Sequence, residues 1–315
     1  MPNEFHIAVV IPAYKVAAQI QGVIAAVPRD VRHVLVVDDA SPDDLRDVLK
    51  KVNDPRLVVL RHDANRGVGA AMKTGFAKAL ELGADVVVKI DGDGQMDPRL
   101  IADFVRPLLE GRADLTKGNR FSDLAFIRKM PFVRRFGNLA LSFLVKLASG
   151  YWHVFDPCNG YVAVRAEVLK RMLFRRLADR YFFEISFLCE AYFARAVLED
   201  VPMTPVYAEE ASSLKPSRIV FEFSPKLVVR TIRRILASYF LYDFNVVSLM
   251  LVAGFPLFVF GVVWSGYHWI LVLQTGVLAT TGTVVIGALS IILGFQLLLE
   301  GLVLDVQNEP GRARR

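Results

Sequence analysis

Asp91-Gly92-Asp93-Gly94-Gln95 places two carboxylates and an amide at a spacing that can hold a hard metal ion. The cluster follows directly on Val86-Val87-Val88-Lys89-Ile90, a β-branched run that predicts a buried strand with the acidic residues at its C-terminal end. Two carboxylates separated by one glycine can turn toward a single point if the chain bends. The glycines permit that bend and let a ligand approach the backbone. Oxygen donors with open positions suit Mg²⁺ or Mn²⁺ that also carries substrate phosphates. A solvated turn rich in Asp and Gly is the alternative for these residues alone, and their context must decide.

Alternating strand and helix patterns surround the cluster. His6 to Ile11 predicts a strand, and Ala17 to Val27 carries helical spacing through Ile20, Val23, Ile24 and Val27. Val31 to Val37 is a second strand, ending in Asp38-Asp39, and Leu57 to Leu60 a third. Gly67 to Leu82 is a helix, and Asp85 to Ile90 the strand before the acidic cluster. This order predicts an α/β domain with a mostly parallel sheet and helices on both faces. Ligands of such sheets bind beyond the strand C-termini. Pro12-Ala13-Tyr14, Asp38-Asp39 and Asp91 to Gln95 all fall at that edge.

The 315 residues are 54% hydrophobic, with a mean hydropathy of +0.38, and the excess lies near the C-terminus. Val246 to Trp264 is uncharged and apolar, and Val284 to Leu304 is broken only by Ser290, Gln296 and Glu300. Each run supplies about 20 residues, roughly 30 Å of helix, enough for a bilayer core. Lys215, Arg218, Lys226, Arg230, Arg233 and Arg234 precede the first run, and Arg312, Arg314 and Arg315 follow the second. The connector, Ser265 to Thr283, has no Lys or Arg, so both flanks are expected on the cytoplasmic side. The net charge of +6 then fits an anionic leaflet rather than nucleic acid, for which there is no motif. Cys158 and Cys189 imply no disulfide framework. Met1 to Tyr14 reads as a charged start plus a strand, so no leader peptide is expected.

Two stretches are both basic and amphipathic. Ile127 to Leu147 sets Arg128, Lys129, Arg134, Arg135 and Lys146 against Phe132, Phe136, Leu139 and Phe143. Lys226 to Tyr242 sets Arg230, Arg233 and Arg234 against Leu227, Ile232, Ile235 and Phe240. Such helices suit the bilayer interface or an ordinary protein surface. Gln296 and Glu300 lie four apart on one face of the second run, a pattern for helix packing or oligomer contact. The expected organisation is a globular domain over 1–225 that includes a basic interfacial segment at 127–150. A juxtamembrane helix at 226–244, a two-helix anchor at 245–305 and a tail at 306–315 follow.

Several motifs in order resemble family 2 glycosyltransferases of the GT-A fold, whose core is Rossmann-like. They are Val9-Val10-Ile11-Pro12-Ala13-Tyr14, Val36-Val37-Asp38-Asp39-Ala40-Ser41-Pro42-Asp43 and Asn65-Arg66-Gly67-Val68-Gly69-Ala70-Ala71. Asp91-Gly92-Asp93-Gly94-Gln95-Met96-Asp97-Pro98 looks like that family's metal motif, and its Gln-Met-Asp-Pro part is similar to the polyprenyl-phosphate sugar synthases. Dolichol-phosphate mannose synthase is one of these. Lys117-Gly118-Asn119-Arg120-Phe121, Asp156-Pro157-Cys158-Asn159-Gly160-Tyr161 and Arg180-Tyr181-Phe182-Phe183-Glu184 extend the match.

The resemblance implies an enzyme moving a sugar from a UDP- or GDP-linked donor to undecaprenyl or dolichyl phosphate with inversion, using Mg²⁺ or Mn²⁺. It implies Asp91, Asp93 and Gln95 as metal ligands. Pro12, Tyr14, Asp38 or Asp39, Asn65, Gly67, Lys73 and Asp91 would bind the nucleotide sugar. Asp156, Asp93 and Arg120 would serve catalysis. Arg120, Arg134 and Lys215 would bind the acceptor phosphate, with Arg135 competing with Arg134. Glu184 would contact the sugar or an arginine, or form a structural salt bridge. A processive polysaccharide synthase is the alternative enzyme, but its Gln-x-x-Arg-Trp motif and additional spans are not found. A non-catalytic membrane scaffold would not need the acidic cluster. A homo-oligomer is also compatible with these helices.

Overall fold

Strand β1, Ile7–Ala13, sends Ile7, Val9, Ile11 and Ala13 into one core and Ala8 and Val10 into another, as a strand buried on both faces must. The structure is a computed structural model that describes residues 5–122, 132–203 and 216–311. After β1 come α1 (Ile20–Ala26), β2 (His33–Asp38), α2 (Leu45–Lys50), β3 (Leu57–Arg61), α3 (Val68–Glu81) and β4 (Val86–Lys89). The expected βα alternation therefore holds, with small shifts at the ends. Helix α1 begins later than its apolar spacing, and Ala17 N, ahead of it, donates to Asp43 Oδ2 at 2.9 Å.

The domain continues through α4 (Ile101–Leu109), β5 (Leu115–Asn119), α5 (Phe132–Ser149), β6 (Val162–Arg165), α6 (Ala166–Arg171), α7 (Phe183–Phe193) and β7 (Leu198–Pro202). Among the described residues these strands make one seven-stranded sheet in the order β3-β2-β1-β4-β6-β5-β7. All neighbours are parallel except β6, which runs antiparallel to both β4 and β5. That reversal carries the chain from Asp156 and Gly160 across the sheet edge, beside the end of β4. Helix α3 lies close on β1, where a Cβ on Gly75 would sit 2.2 Å from Val10 Cγ1.

The chain divides into two compact units, a larger one running through Arg230 and a smaller one from Thr231 onward. Helix α8 (Pro216–Leu236) reaches from the first into the second. The smaller unit is built on α9 (Val246–Thr275) and α10 (Thr281–Gln307). With 30 and 27 residues, both are long and apolar enough to cross a membrane. Helix α9 continues well past the expected end at Trp264, because Ser265 to Thr275 keeps forming helical turns. It stops at Gly276, whose φ of +73° is the left-handed conformation glycine favours.

The two long helices approach closely through small residues. A Cβ on Gly294 would lie 2.5 Å from Phe258 N, and one on Gly261 would lie 2.7 Å from Ile291 N. Gln296 and Glu300 are exposed on the outside of this hairpin, so they do not pack its helices together. Arg234, expected at the lipid surface, is instead 1% exposed. It forms a bidentate pair with Asp305 at 2.7 and 2.9 Å, and Tyr239 adds a hydroxyl donor to the same carboxylate. A guanidinium at this depth requires such a partner.

Candidate active site

The C-terminal ends of β1, β2 and β4 open onto a cleft of about 570 Å³, within the usual size for a small-molecule site. Its lining includes Pro12 near the end of β1 and Tyr14 and Lys15 after it, Asp39 after β2, and Asp91 and Asp93 after β4. Asn65 and Gly67 close it from the start of α3, and Arg180, Tyr181 and Glu184 from the start of α7. Three strand ends that the sequence reading assigned to one edge thus converge.

Hydrogen bonds between loops shape this rim. Lys15, at φ +58°, donates its N–H to Ser41 Oγ at 2.7 Å, and Ser41 N donates to Asp38 Oδ1 at 2.8 Å. Asp39 Oδ1 accepts from Arg66 N at 3.0 Å, and Oδ2 from Gly67 N at 2.7 Å. His62 Nδ1 lies 2.6 Å from Asp39 Oδ1, and its Nε2 lies 2.9 Å from Thr74 Oγ1. Asp39 therefore fixes the glycine-bearing loop at the cleft. Asp38 does not reach the cleft; it faces Arg61 at 3.4 Å in a neighbouring depression. Of Asp38 and Asp39, either of which was expected to bind the nucleotide, only Asp39 lines the cleft.

The segment before α7 is pressed onto the start of α3. Gly67 has φ +98°, and a Cβ there would lie 2.5 Å from Asp179 O. On Gly69 it would lie 1.9 Å from Ala178 O, and Ala70 N donates to Asp179 O at 3.1 Å. This contact brings Arg180, Tyr181 and Glu184 to the cleft. Lys73, expected among the nucleotide-binding residues, is instead paired with the Asp179 carboxylate and does not line the cleft.

Lys89, the last residue of β4, is 2% exposed, and its Nζ donates to Asp91 Oδ1 at 2.7 Å. Glu184 Oε1 is 3.5 Å away. Burial pulls this ammonium down, but the Asp91 and Glu184 carboxylates outweigh it and hold Lys89 above the usual lysine range. Lys117 on β5 lies across the same β6 residue, since both lysines are in register with Val162. It is 1% exposed and donates to Asn159 O. Burial lowers Lys117 to about 8 despite the attraction of Glu184 and Asp156.

Asp156 and Arg120 are brought together but do not line the cleft. Arg120 Nε and Nη2 donate to Asp156 Oδ2 and Oδ1 at 2.6 and 3.0 Å, and Asp156 is 1% exposed. A carboxylate paired in this bidentate way fixes the direction of the guanidinium. The side chain of Arg134, on α5, and that of Arg135 lie outside the described residues, as does Lys215.

Asp91 and Asp93 both face the cleft, and Asp93 Oδ1 also accepts from Gln95 N at 3.0 Å. Gln95 itself is exposed and lines no part of the cleft, which departs from the expected three-ligand set. Among the described residues no three His, Cys, Asp or Glu side chains gather closely enough to hold a metal unaided. Two carboxylates fit an ion whose remaining ligands come from phosphate or water. Lys15, Arg180 and Tyr181 line the cleft without having been assigned a role from the sequence, although Arg180 and Tyr181 lie in one of the family-like motifs, and the buried His62, Lys89 and Lys117 were not assigned one either. Lys89 carried a signal, because a charge inside an apolar strand requires a partner.

The model described as glycosyl transferase family 2 matches residues 8–173, which hold β1 through β6 and the acidic cluster. The chain belongs to glycosyl transferase family 2. The seven-stranded sheet is accordingly a GT-A fold. A UDP-N-acetylglucosamine–dolichyl-phosphate N-acetylglucosaminyltransferase of Methanococcus voltae is 30% identical over 215 residues, covering 64% of this chain and 85% of its own. A polyprenol monophosphomannose synthase of Mycolicibacterium smegmatis is 31% identical over 180 residues, 55% of this chain and 66% of its own. Among solved structures, glucosyl-3-phosphoglycerate synthase from Mycobacterium tuberculosis with UDP aligns with a TM-score of 0.54 at 23% identity. The alignment covers 72% of this chain and 80% of that one. The same synthase has been crystallised with Mg²⁺ and UDP, and aligns with a TM-score of 0.51 at 21% identity over 74% of this chain and 79% of that one. At these identities the likeness is one of fold.

Proposed function

We propose that this family 2 glycosyltransferase moves a sugar from a UDP- or GDP-linked donor to a polyprenyl phosphate, undecaprenyl or dolichyl, with inversion at the anomeric carbon. The observation that carries the reading is the cleft gathering Asp91 and Asp93 at strand ends, in a chain that continues into two span-length helices. Relatives named for transfer to dolichyl phosphate and for polyprenol monophosphomannose synthesis support the acceptor class. They differ in sugar, so the donor is read only as a nucleotide-linked sugar.

Lys15 and Arg180 supply cations for the donor diphosphate, and Tyr14 and Tyr181 offer exposed rings to the base or sugar. Mg²⁺ or Mn²⁺ held by Asp91 and Asp93 would neutralise charge on the departing nucleoside diphosphate. A lipid monophosphate, with its second pKa about 6, is already largely dianionic at neutral pH and needs no general base. One of its oxygens bonds to the anomeric carbon. The bond from that carbon to the nucleoside diphosphate breaks, and its electron pair leaves with the diphosphate. Arg120, held by Asp156, would position the acceptor phosphate together with Arg134 and Lys215.

Basic residues precede the first long helix and follow the second, with none between, so by the positive-inside rule this reading has the two ends of the hairpin and the transferase unit on the cytoplasmic side. A homo-oligomer would give the exposed Gln296 and Glu300 a partner. The purified full chain, given radiolabelled UDP- and GDP-sugars with polyprenyl phosphate, is expected to pass label from one donor into the organic extract. No extractable label from any donor would sink the reading.

A further inference from the structure

We infer that Lys89 is a built-in counter-ion that holds Asp91 and Glu184 at the cleft wall and keeps Asp91 and Asp93 from taking up a divalent ion until a diphosphate is present. The inference rests on the metal-dependent reading above and assigns a residue to the coupling between ion and nucleotide.

Lys89 ends an otherwise apolar strand, and its charge meets two carboxylates at the cleft. Val86, Val87 and Val88, which precede it in β4, are at most 1% exposed, and Lys89 itself is 2% exposed. A valine, isoleucine or methionine would complete that strand without the penalty of burying an ammonium. The penalty is offset here by two carboxylates from separate elements, Asp91 at 2.7 Å and Glu184 at 3.5 Å. Both carboxylates line the cleft, whereas the ammonium lies beneath its wall.

The fold also keeps space for this contact. A Cβ on Gly160 would fall 2.5 Å from Lys89 Nζ and 2.9 Å from Asp91 Oδ2. Glycine at that position therefore lets the ammonium and the carboxylate meet. Lys117 stands on the other side of Val162 on the same face of the sheet and adds a second buried positive charge.

The electrostatic consequence concerns affinity rather than chemistry. One oxygen of Asp91 is engaged by Lys89, and like charge at short range in a poorly screened interior opposes an incoming cation. Asp91 and Asp93 alone should then bind a divalent ion weakly. A nucleoside diphosphate brings further oxygen ligands and negative charge, which reverses that balance. Lys89 is a positioning residue in this account, since it acts through Asp91 and touches no substrate.

The test is Mn²⁺ binding to the detergent-solubilised full chain, followed by the electron paramagnetic resonance of free Mn²⁺, with and without UDP or GDP. Wild type is expected to bind Mn²⁺ at least tenfold more tightly with a matching nucleotide than without. Lys89→Met is expected to bind Mn²⁺ alone at least tenfold more tightly than wild type, narrowing the nucleotide effect. Lys89→Gln, which keeps a neutral donor toward Asp91, should behave the same way and decides the matter if the methionine variant does not fold. Unchanged or weaker Mn²⁺ binding in the folded variant would overturn the inference and leave Lys89 a scaffold. Wild type that binds no Mn²⁺ with either nucleotide would instead remove the metal-dependent reading itself, and the inference with it.

Discussion

Both oxygens of Asp156 accept from Arg120, so the contribution proposed for this acid is the direction of a guanidinium. Asp156→Asn keeps the shape and removes the charge-assisted fork, an interaction worth about 1.5–3 kcal/mol. Turnover is expected to fall about 10- to 100-fold with little change in nucleotide affinity, and steady-state kinetics on both substrates would show it. Undiminished turnover would remove Asp156 from the machinery. Lys117 gives a second residue-level prediction. Burial lowers it from 10.5 to about 8, so between those values the unfolded chain holds a proton that the folded one has released. Stability contributed at this site therefore rises with pH across that window, and below about 8 the full penalty of a buried charge is present. Relative to wild type, Lys117→Met should lose melting temperature as pH climbs from about 7 to about 10.5; a difference independent of pH would contradict this. The acidic cluster was legible because it follows an apolar strand. The partners of Lys89 and Arg120 were not, because Glu184 and Asp156 meet them only after β6 reverses across the sheet. Which of Asp38 and Asp39 faces the cleft was not legible for a related reason, since Asp39 is turned there by Arg66 N, Gly67 N and His62, which come together only in the fold.

Elements position these residues through backbone contacts as much as through side chains. The start of α3 is held against the segment before α7, and Gly69 leaves no room for a methyl group beside Ala178 O. Gly69→Ala must push that segment away, at a cost of about 1–3 kcal/mol by the usual penalty for overpacking. A lower melting temperature and weaker nucleotide binding are both expected, because Arg180 and Tyr181 move with the displaced backbone. Thermal unfolding with and without UDP measures both, and intact nucleotide binding would place the nucleotide elsewhere. Strands β1 to β4 were readable from apolar runs ending in polar turns. The antiparallel β6 was not, since Val162–Arg165 is short and its direction depends on a pairing with β4 and β5 that forms at long range. Helix α9 outran its expected end for the opposite reason. Tyr267, His268 and Trp269 lower the apolar character of the segment without breaking its helical hydrogen bonds.

At the scale of the whole molecule, a family 2 transferase unit is joined in one chain to two helices long and apolar enough to cross a bilayer. Those helices were evident from composition, and their close approach at Gly261 and Gly294 shows how they pair. Composition hid the Arg234–Asp305 pair, in which a residue that looked like a lipid contact serves the interior of the smaller unit. In the proposed reading, the chain as a whole takes a soluble sugar nucleotide and gives a membrane lipid. In that reading the cleft bearing Asp91 and Asp93 performs the transfer. The most direct measurement compares lipid-extractable label formed by wild type, by Asp93→Asn and by wild type in EDTA, each with polyprenyl phosphate and the donor found active. Transfer by wild type with a loss of about 100-fold or more in the other two is the predicted result, in line with the several kcal/mol a bound metal contributes. Transfer that persists at the wild-type rate in Asp93→Asn would contradict the account.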